Sequence, residues 1–257
     1  MIKKKYITAF LVIVTILAIA FFVRDWYVFF QCGPVDRCIE DASHFQNYAK
    51  FAVTAIVTII AFFIGKNCLC VRDRRLLQVG FVMVFCADFC LKILHNMTNL
   101  FHHRDEYVLL GICFFMVVQA LFIFRHSRKS DTDNSVPWII IVPFAVMFIA
   151  NALHLFSVFT SPTVPIVATY GAFLICSVIV ACQAPKKGYF PAVNARNIKR
   201  GMILFFCCDA CVGLSLATGD PYTLRETVAA VANIFIWYFY TPALILLALS
   251  GYKRSES

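Results

Sequence analysis

Charge is scarce in this chain. Asp, Glu, Lys and Arg make up 14% of its 257 residues, against roughly 25% in soluble domains. Long polar stretches are missing as well, so nothing between the apolar runs is large enough to be an appended soluble module. No Gly-rich phosphate loop, His-Glu-x-x-His or Gly-x-Ser-x-Gly occurs. ATP-driven transport, zincin chemistry and α/β-hydrolase chemistry therefore have no support. Strand-type alternation is absent from the apolar runs, which excludes a membrane β-barrel.

What is abundant is apolar surface. Hydrophobic residues make up 61% of the chain and mean hydropathy is +0.79, which defines an all-α integral membrane protein forming one membrane domain over residues 1–257. A spanning helix needs about 20 apolar residues. Eight runs qualify: Tyr6–Val23, Tyr48–Gly65, Leu77–Leu94, Tyr107–Phe124, Pro137–Phe156, Val164–Gln183, Gly201–Thr218 and Thr227–Leu249. The expected fold is an eight-helix transmembrane bundle.

The basic residues set its orientation. One set of alternate segments carries Lys3, Lys4 and Lys5; Lys66, Arg72, Arg74 and Arg75; Arg125, Arg128 and Lys129; Lys186, Lys187, Arg196, Lys199 and Arg200; and Lys253 and Arg254. The other set carries Arg24, Arg37, Lys50, Arg104 and Arg225. The positive-inside rule then places both termini in the cytoplasm. This bias accounts for the net charge of +9, and no nucleic-acid partner is read from it. Lys3-Lys4-Lys5, the apolar run after it and Ala18-Ile19-Ala20 resemble a secretory signal. The run is longer than a signal core and Phe21-Phe22 follows it, so a retained anchor is expected. Short loops favour a bacterial cytoplasmic membrane.

One phrase occurs twice. Phe85-Cys-Ala-Asp88-Phe-Cys90 and Phe206-Cys-Cys-Asp209-Ala-Cys211 both read Phe-Cys-x-Asp-x-Cys inside an apolar run. They fall in the third span of each half, which makes residues 1–126 and 137–252 candidate parallel repeats of four helices. At 1.5 Å per residue, Asp88 lies ~18 Å and Asp209 ~14 Å from the cytoplasmic ends, near mid-depth. A carboxylate there costs at least about 2.5–3.5 kcal/mol, so two of them point to a shared polar site.

Lys92 follows Asp88 by four residues, the favourable order for an ion pair on one helix. Two readings stay open. Lys92 reaches for the interface and Asp88 neutralises part of its charge, or Lys92 keeps Asp88 ionised while Asp209 stays protonated, giving an acid/base pair. Gln119, Asn151, His154, Tyr170, Asn233, Tyr238 and Tyr240 are further candidates for lining the cavity or bonding between helices. Pro143 and Pro242 are expected to kink their spans. Cys86/Cys90 and Cys207/Cys211 lack an accompanying histidine and read as small packing residues, so no metal is expected. Cys68 and Cys70 are expected to be reduced, while Cys32 and Cys38 are spaced to allow a bridge on the outer side.

Gly80 to Leu91 resembles the glycine-to-aspartate motif in the third span of the YhhN-like lysoplasmalogenase family. Gly201 to Asp209 is similar to its seventh-span motif, Gly111 to Phe124 to its fourth span, and Tyr238 to Ile245 to its eighth. Gln119 stands where that family usually has histidine, Phe122 where it has tyrosine and Pro242 where it has glutamine. Ala87 and Cys208 replace Gly and Ser before the two aspartates. The resemblance implies hydrolysis of the vinyl ether bond of a lysophospholipid without a cofactor. Asp88 and Asp209 would be catalytic, and Gln119, Asn151, Tyr170, Tyr238 and Lys92 would bind substrate, Gln119 orienting the water or headgroup. A small-molecule or proton-coupled transporter, or an inactive lipid-binding relative, is the competing expectation.

Overall fold

In hydrocarbon every backbone N–H and C=O must find a partner within the chain, and a helix supplies one for each within a single segment. The computed structural model accordingly consists of helices. It describes the backbone of residues 2–32, 38–65, 67–94, 104–133, 135–159, 161, 163–216 and 224–253; within these, the side chains of 2–4, 32, 38–46, 104–105, 216 and 224–226 are not described. Among the described residues eight α-helices follow in order: α1 (Ile2–Cys32), α2 (Cys38–Phe62), α3 (Val71–Asp88), α4 (Arg104–His126), α5 (Ile141–Leu155), α6 (Thr163–Lys187), α7 (Ala192–Leu216) and α8 (Leu224–Leu249). A π-helical segment, Phe89–Leu94, continues α3, and a 3₁₀ turn, Trp138–Ile140, leads into α5.

Six of these stretches are long and apolar enough to cross a membrane: 5–31, 71–94, 106–126, 138–155, 163–187 and 227–249. The chain is thus a multi-pass membrane protein. The described apolar part of α2 is shorter, Asn47–Phe62, and α7 opens on Arg196, Lys199 and Arg200. The expected pairing of Cys32 with Cys38 and the end of the seventh run at Thr218 lie outside the described residues.

Packing follows chain order with one closure. α1 packs on α2, α2 on α3, α3 on α4, α4 on α6, α6 on α7 and α7 on α8, while α8 returns to α1 and α2. α5 rides on α6, with Trp138, Phe148 and Leu155 more than 70% exposed. The expected kink at Pro143 is unnecessary, because it occupies the first turn of α5, where an N–H would have no intrahelical acceptor. Pro242 does lie inside α8.

The segments between α2 and α3, α4 and α5, and α6 and α7 meet the C-terminal residues at one end. Cys68 bridges to Tyr252, Lys253 N–H donates to the Asn67 carbonyl and Arg72 donates to the Asp133 carbonyl. Asp133 accepts from the Ser135 hydroxyl, Ser135 N–H and Lys129 N–H, which hold its carboxyl near a pKa of about 2.

Beneath this end lies a correction to the loop reading of the basic residues. Arg125 belongs to α4 and is fully buried, paired with the equally buried Asp73 at the start of α3 through contacts of 2.9 and 3.2 Å. Its other nitrogen donates to Ser250 Oγ at 2.9 Å, and Asn194 of α7 donates to the Ser250 carbonyl at 2.7 Å. One guanidinium therefore ties α3 and α4 to the end of α8. Removing one partner of a buried pair typically costs about 3–5 kcal/mol, whereas replacing both with apolar residues is far milder. Arg125→Leu is expected to lower the detergent-solubilised protein's stability by about that amount, and Asp73→Leu with Arg125→Leu to recover most of it. Thermal unfolding of the three proteins checks this, and a double variant no better than the single would refute it.

Candidate functional site

Asp88 is the residue at which α3 turns from α- to π-helical geometry, a change that recurs at functional positions. The widened turn is accommodated by Gly111 of α4, where a Cβ would meet Leu91 Cγ at 2.7 Å and the Ala87 carbonyl at 3.3 Å. Asp88 is only 3% exposed. Its Oδ2 accepts from Thr54 Oγ1 of α2 at 2.5 Å and from Tyr240 Oη of α8 at 2.9 Å.

Asp209, in the C-terminal half of α7, is half-buried and accepts a hydrogen bond from Tyr170 Oη of α6. Each carboxylate is thus held by a phenol from a different helix. Phe115 of α4 joins the two: its ring centroid is 6.4 Å from that of Tyr170 and 6.4 Å from that of Tyr240. Phe205 of α7 completes the layer, 5.9 Å from Phe115 and 5.6 Å from Tyr240. The two carboxylates are within Coulombic range of each other, and the buried Cys208 thiol is within range of both.

Gln119 is fully buried on α4. Its Oε1 accepts from Ser177 Oγ of α6 at 2.6 Å, its side-chain amide lies beside the Tyr170 hydroxyl, and Nε2 has no hydrogen-bond partner among the described residues. Lys92 is within electrostatic range of Asp88, with its ammonium 5.7 Å from the Trp237 ring centroid.

Four sequence candidates stand apart from the acid pair. Asn151 is exposed on α5 and donates to its own helix's Met147 carbonyl. His154 pairs with the Phe159 carbonyl at 2.7 Å, and Asn233 is exposed. Tyr238 is 54% exposed and its ring packs on Phe22 of α1 at 5.3 Å, facing a groove between α1 and α8. Sequence reasoning missed Thr54 and Ser177, whose signal was a hydroxyl inside an otherwise apolar run. Among the described residues no group of three His, Cys, Asp or Glu could hold a metal ion.

The fold and the site define a helical membrane protein with two interior carboxylates, one from each half, joined by an aromatic layer. The YhhN family model matches residues 45–251, and the chain belongs to the YhhN family. No curated protein and no solved structure matches it.

An intramolecular hydrogen bond is worth about 0.5–1.5 kcal/mol net. Tyr240→Phe and Tyr170→Phe are each expected to lose that much stability in detergent denaturation, while Tyr238→Phe changes it by less than about 0.5 kcal/mol. Equal effects for the three would show that the phenol–carboxylate bonds contribute nothing.

Proposed function

We propose that this protein is a membrane-embedded hydrolase that cleaves the vinyl ether bond of lysoplasmalogens, releasing a fatty aldehyde and a glycerophospho-base. The supporting observation is the convergence of Asp88 and Asp209, 121 positions apart in sequence, on one aromatic layer, each with its own phenol. Membership of the YhhN family supports a family-level function of this kind.

The chemistry suits two carboxyls with different surroundings. Two hydroxyls and the nearby Lys92 ammonium stabilise negative charge on Asp88. Among the described residues Asp209 takes a hydrogen bond from Tyr170. Asp209 is therefore the acid and Asp88 the carboxylate. Asp209 gives its proton to the β-carbon of the enol ether, leaving an oxocarbenium ion that Asp88 stabilises, much as paired carboxyls serve glycosidases. Asp88 then takes a proton from the attacking water and a hemiacetal forms. On its collapse Asp88 returns that proton to the departing glycerol oxygen, and the hemiacetal hydroxyl gives its proton to Asp209. Both acids end as they began, so no cofactor enters the balance. Gln119 lies beside the Tyr170 hydroxyl that donates to Asp209.

In this reading all eight helices cross the bilayer with both termini in the cytoplasm, in a bacterial cytoplasmic membrane. The substrate is a lysophospholipid drawn from the surrounding lipid. Purified protein in detergent is expected to release aldehyde from lysoplasmalogen, and a missing general acid or base typically costs about 10²–10⁴-fold. Asp88→Asn and Asp209→Asn are each expected to lower the rate by at least about 100-fold. A wild-type rate in either folded variant, or no aldehyde from the wild type, refutes the assignment.

A further inference from the structure

A second polar cluster lies beside the acid pair, on the far side of Trp237. That indole is 4% exposed and packs edge-on against Tyr240 at 5.1 Å. Two ammoniums flank it, Lys50 Nζ of α2 at 5.9 Å and Lys92 Nζ at 5.7 Å from its centroid. Lys50 is 7% exposed and pairs with Asp25 Oδ2 of α1 at 3.4 Å. Arg24 and Lys92 are also within Coulombic range of Lys50. Among the described residues, three cations thus gather around one carboxylate, with Asp88 deeper and already engaged by Thr54 and Tyr240. An anion placed there meets net positive charge in a site with little water, where each interaction counts for more.

Asp25 and Trp237 also stand at one end of a groove of about 260 Å³ between α1 and α8. Its other walls are apolar apart from Thr15 and Thr241, and Thr241 Oγ1 is buried without a hydrogen-bond partner among the described residues. Along α1 the groove runs from Thr15 to Asp25, ten residues or ~15 Å at 1.5 Å rise. The groove is thus elongated, apolar along most of its length and closed by charge at one end, the shape and polarity of a single hydrocarbon chain with a polar head. The α1 wall lies outside the residues that match the family model, 45–251.

We propose that the α1–α8 groove and the cluster at its mouth form a binding site for a single-chain zwitterionic phospholipid. The chain lies in the groove, the phosphate sits between Lys50 and Lys92 over Trp237, and the headgroup amine faces Asp25. The site rests on the hydrolase reading only for the identity of the lipid, which it delivers one aromatic wall away from Asp88.

The test uses the full chain in detergent and a radiolabelled 1-O-alkyl lysoglycerophosphoethanolamine with a photoreactive group on its chain. The saturated ether cannot be cleaved, so binding is read without turnover. Crosslinks are expected in the peptides spanning residues 15–25 and 234–245. Lys50→Gln with Lys92→Gln is expected to weaken binding about tenfold, the worth of one charge-assisted hydrogen bond. Ala18→Phe, which fills the groove and alters no charge, is expected to weaken it comparably. The matching long-chain alcohol is expected to bind alike in wild type and the lysine variant, and diacyl phosphatidylethanolamine to compete poorly. Crosslinks confined to other helices, such as the exposed face of α5, overturn the site. So does undiminished binding in monodisperse Ala18→Phe, or competition by the diacyl lipid or by headgroup without a chain at equal concentration. Intact binding by a protein that releases no aldehyde from lysoplasmalogen removes the hydrolase reading and leaves the site standing.

Discussion

A carboxylate surrounded by hydrocarbon has nothing to lean on except other side chains, and this bundle is arranged to supply them. Asp88 takes hydroxyls from α2 and α8, and Asp209 takes one from α6. Each bond joins an acid to a helix other than its own, so the polar contacts fix register between helices that apolar packing alone would let slide. Phe115 packs against both phenols that hold the acids, and Phe205 packs against Phe115 and Tyr240. Satisfying two interior carboxyls and fixing the register of the helices around them become one structural problem with one solution.

The same constraint governs the basic end. Arg125 is buried because Asp73 and Ser250 together meet its donors, and Asn194 adds a second donor to the Ser250 carbonyl. Cys70 opens α3 as an N-cap, its Sγ accepting from Asp73 N–H at 3.3 Å. The base of α3 is anchored there, and its π-helical continuation begins just after Asp88. Gly111 leaves room for that turn. Any side chain at that position would press on Leu91 and move the residues just beyond the acid.

Composition and run length made the helical membrane fold and most helix positions legible, because hydrocarbon imposes the same requirement on every residue of a span. The repeated phrase singled out both acids for the same reason, since a charge in an apolar run has to be explained. What stayed hidden was partnership. Thr54 and Ser177 look like ordinary small residues, and Arg125 looks like one more loop cation, until the helices are placed side by side. Asn151 shows the converse: a polar residue in a span that satisfies itself on its own helix by donating to Met147, as amides at i and i−4 readily do. Sequence marks which groups need a partner, and only packing decides whether the partner is local.

The two halves also pair contacts in a regular way. α1–α2, α2–α3, α3–α4 and α4–α6 correspond to α5–α6, α6–α7, α7–α8 and α8–α2, and all eight occur. An offset of 121 carries Gly80 to Gly201, Asp88 to Asp209 and Gln119 to Tyr240. The packing of α8 on α1 has no comparable counterpart between α4 and α5, and the surroundings of the two acids differ as well. Tyr240 donates directly to Asp88, whereas its counterpart Gln119 lies beside the phenol that donates to Asp209, with its own Nε2 unpartnered. Asp88 is met by two hydroxyls with an ammonium nearby, and Asp209 by one phenol that lies beside an amide, so the two acids sit in different polar surroundings.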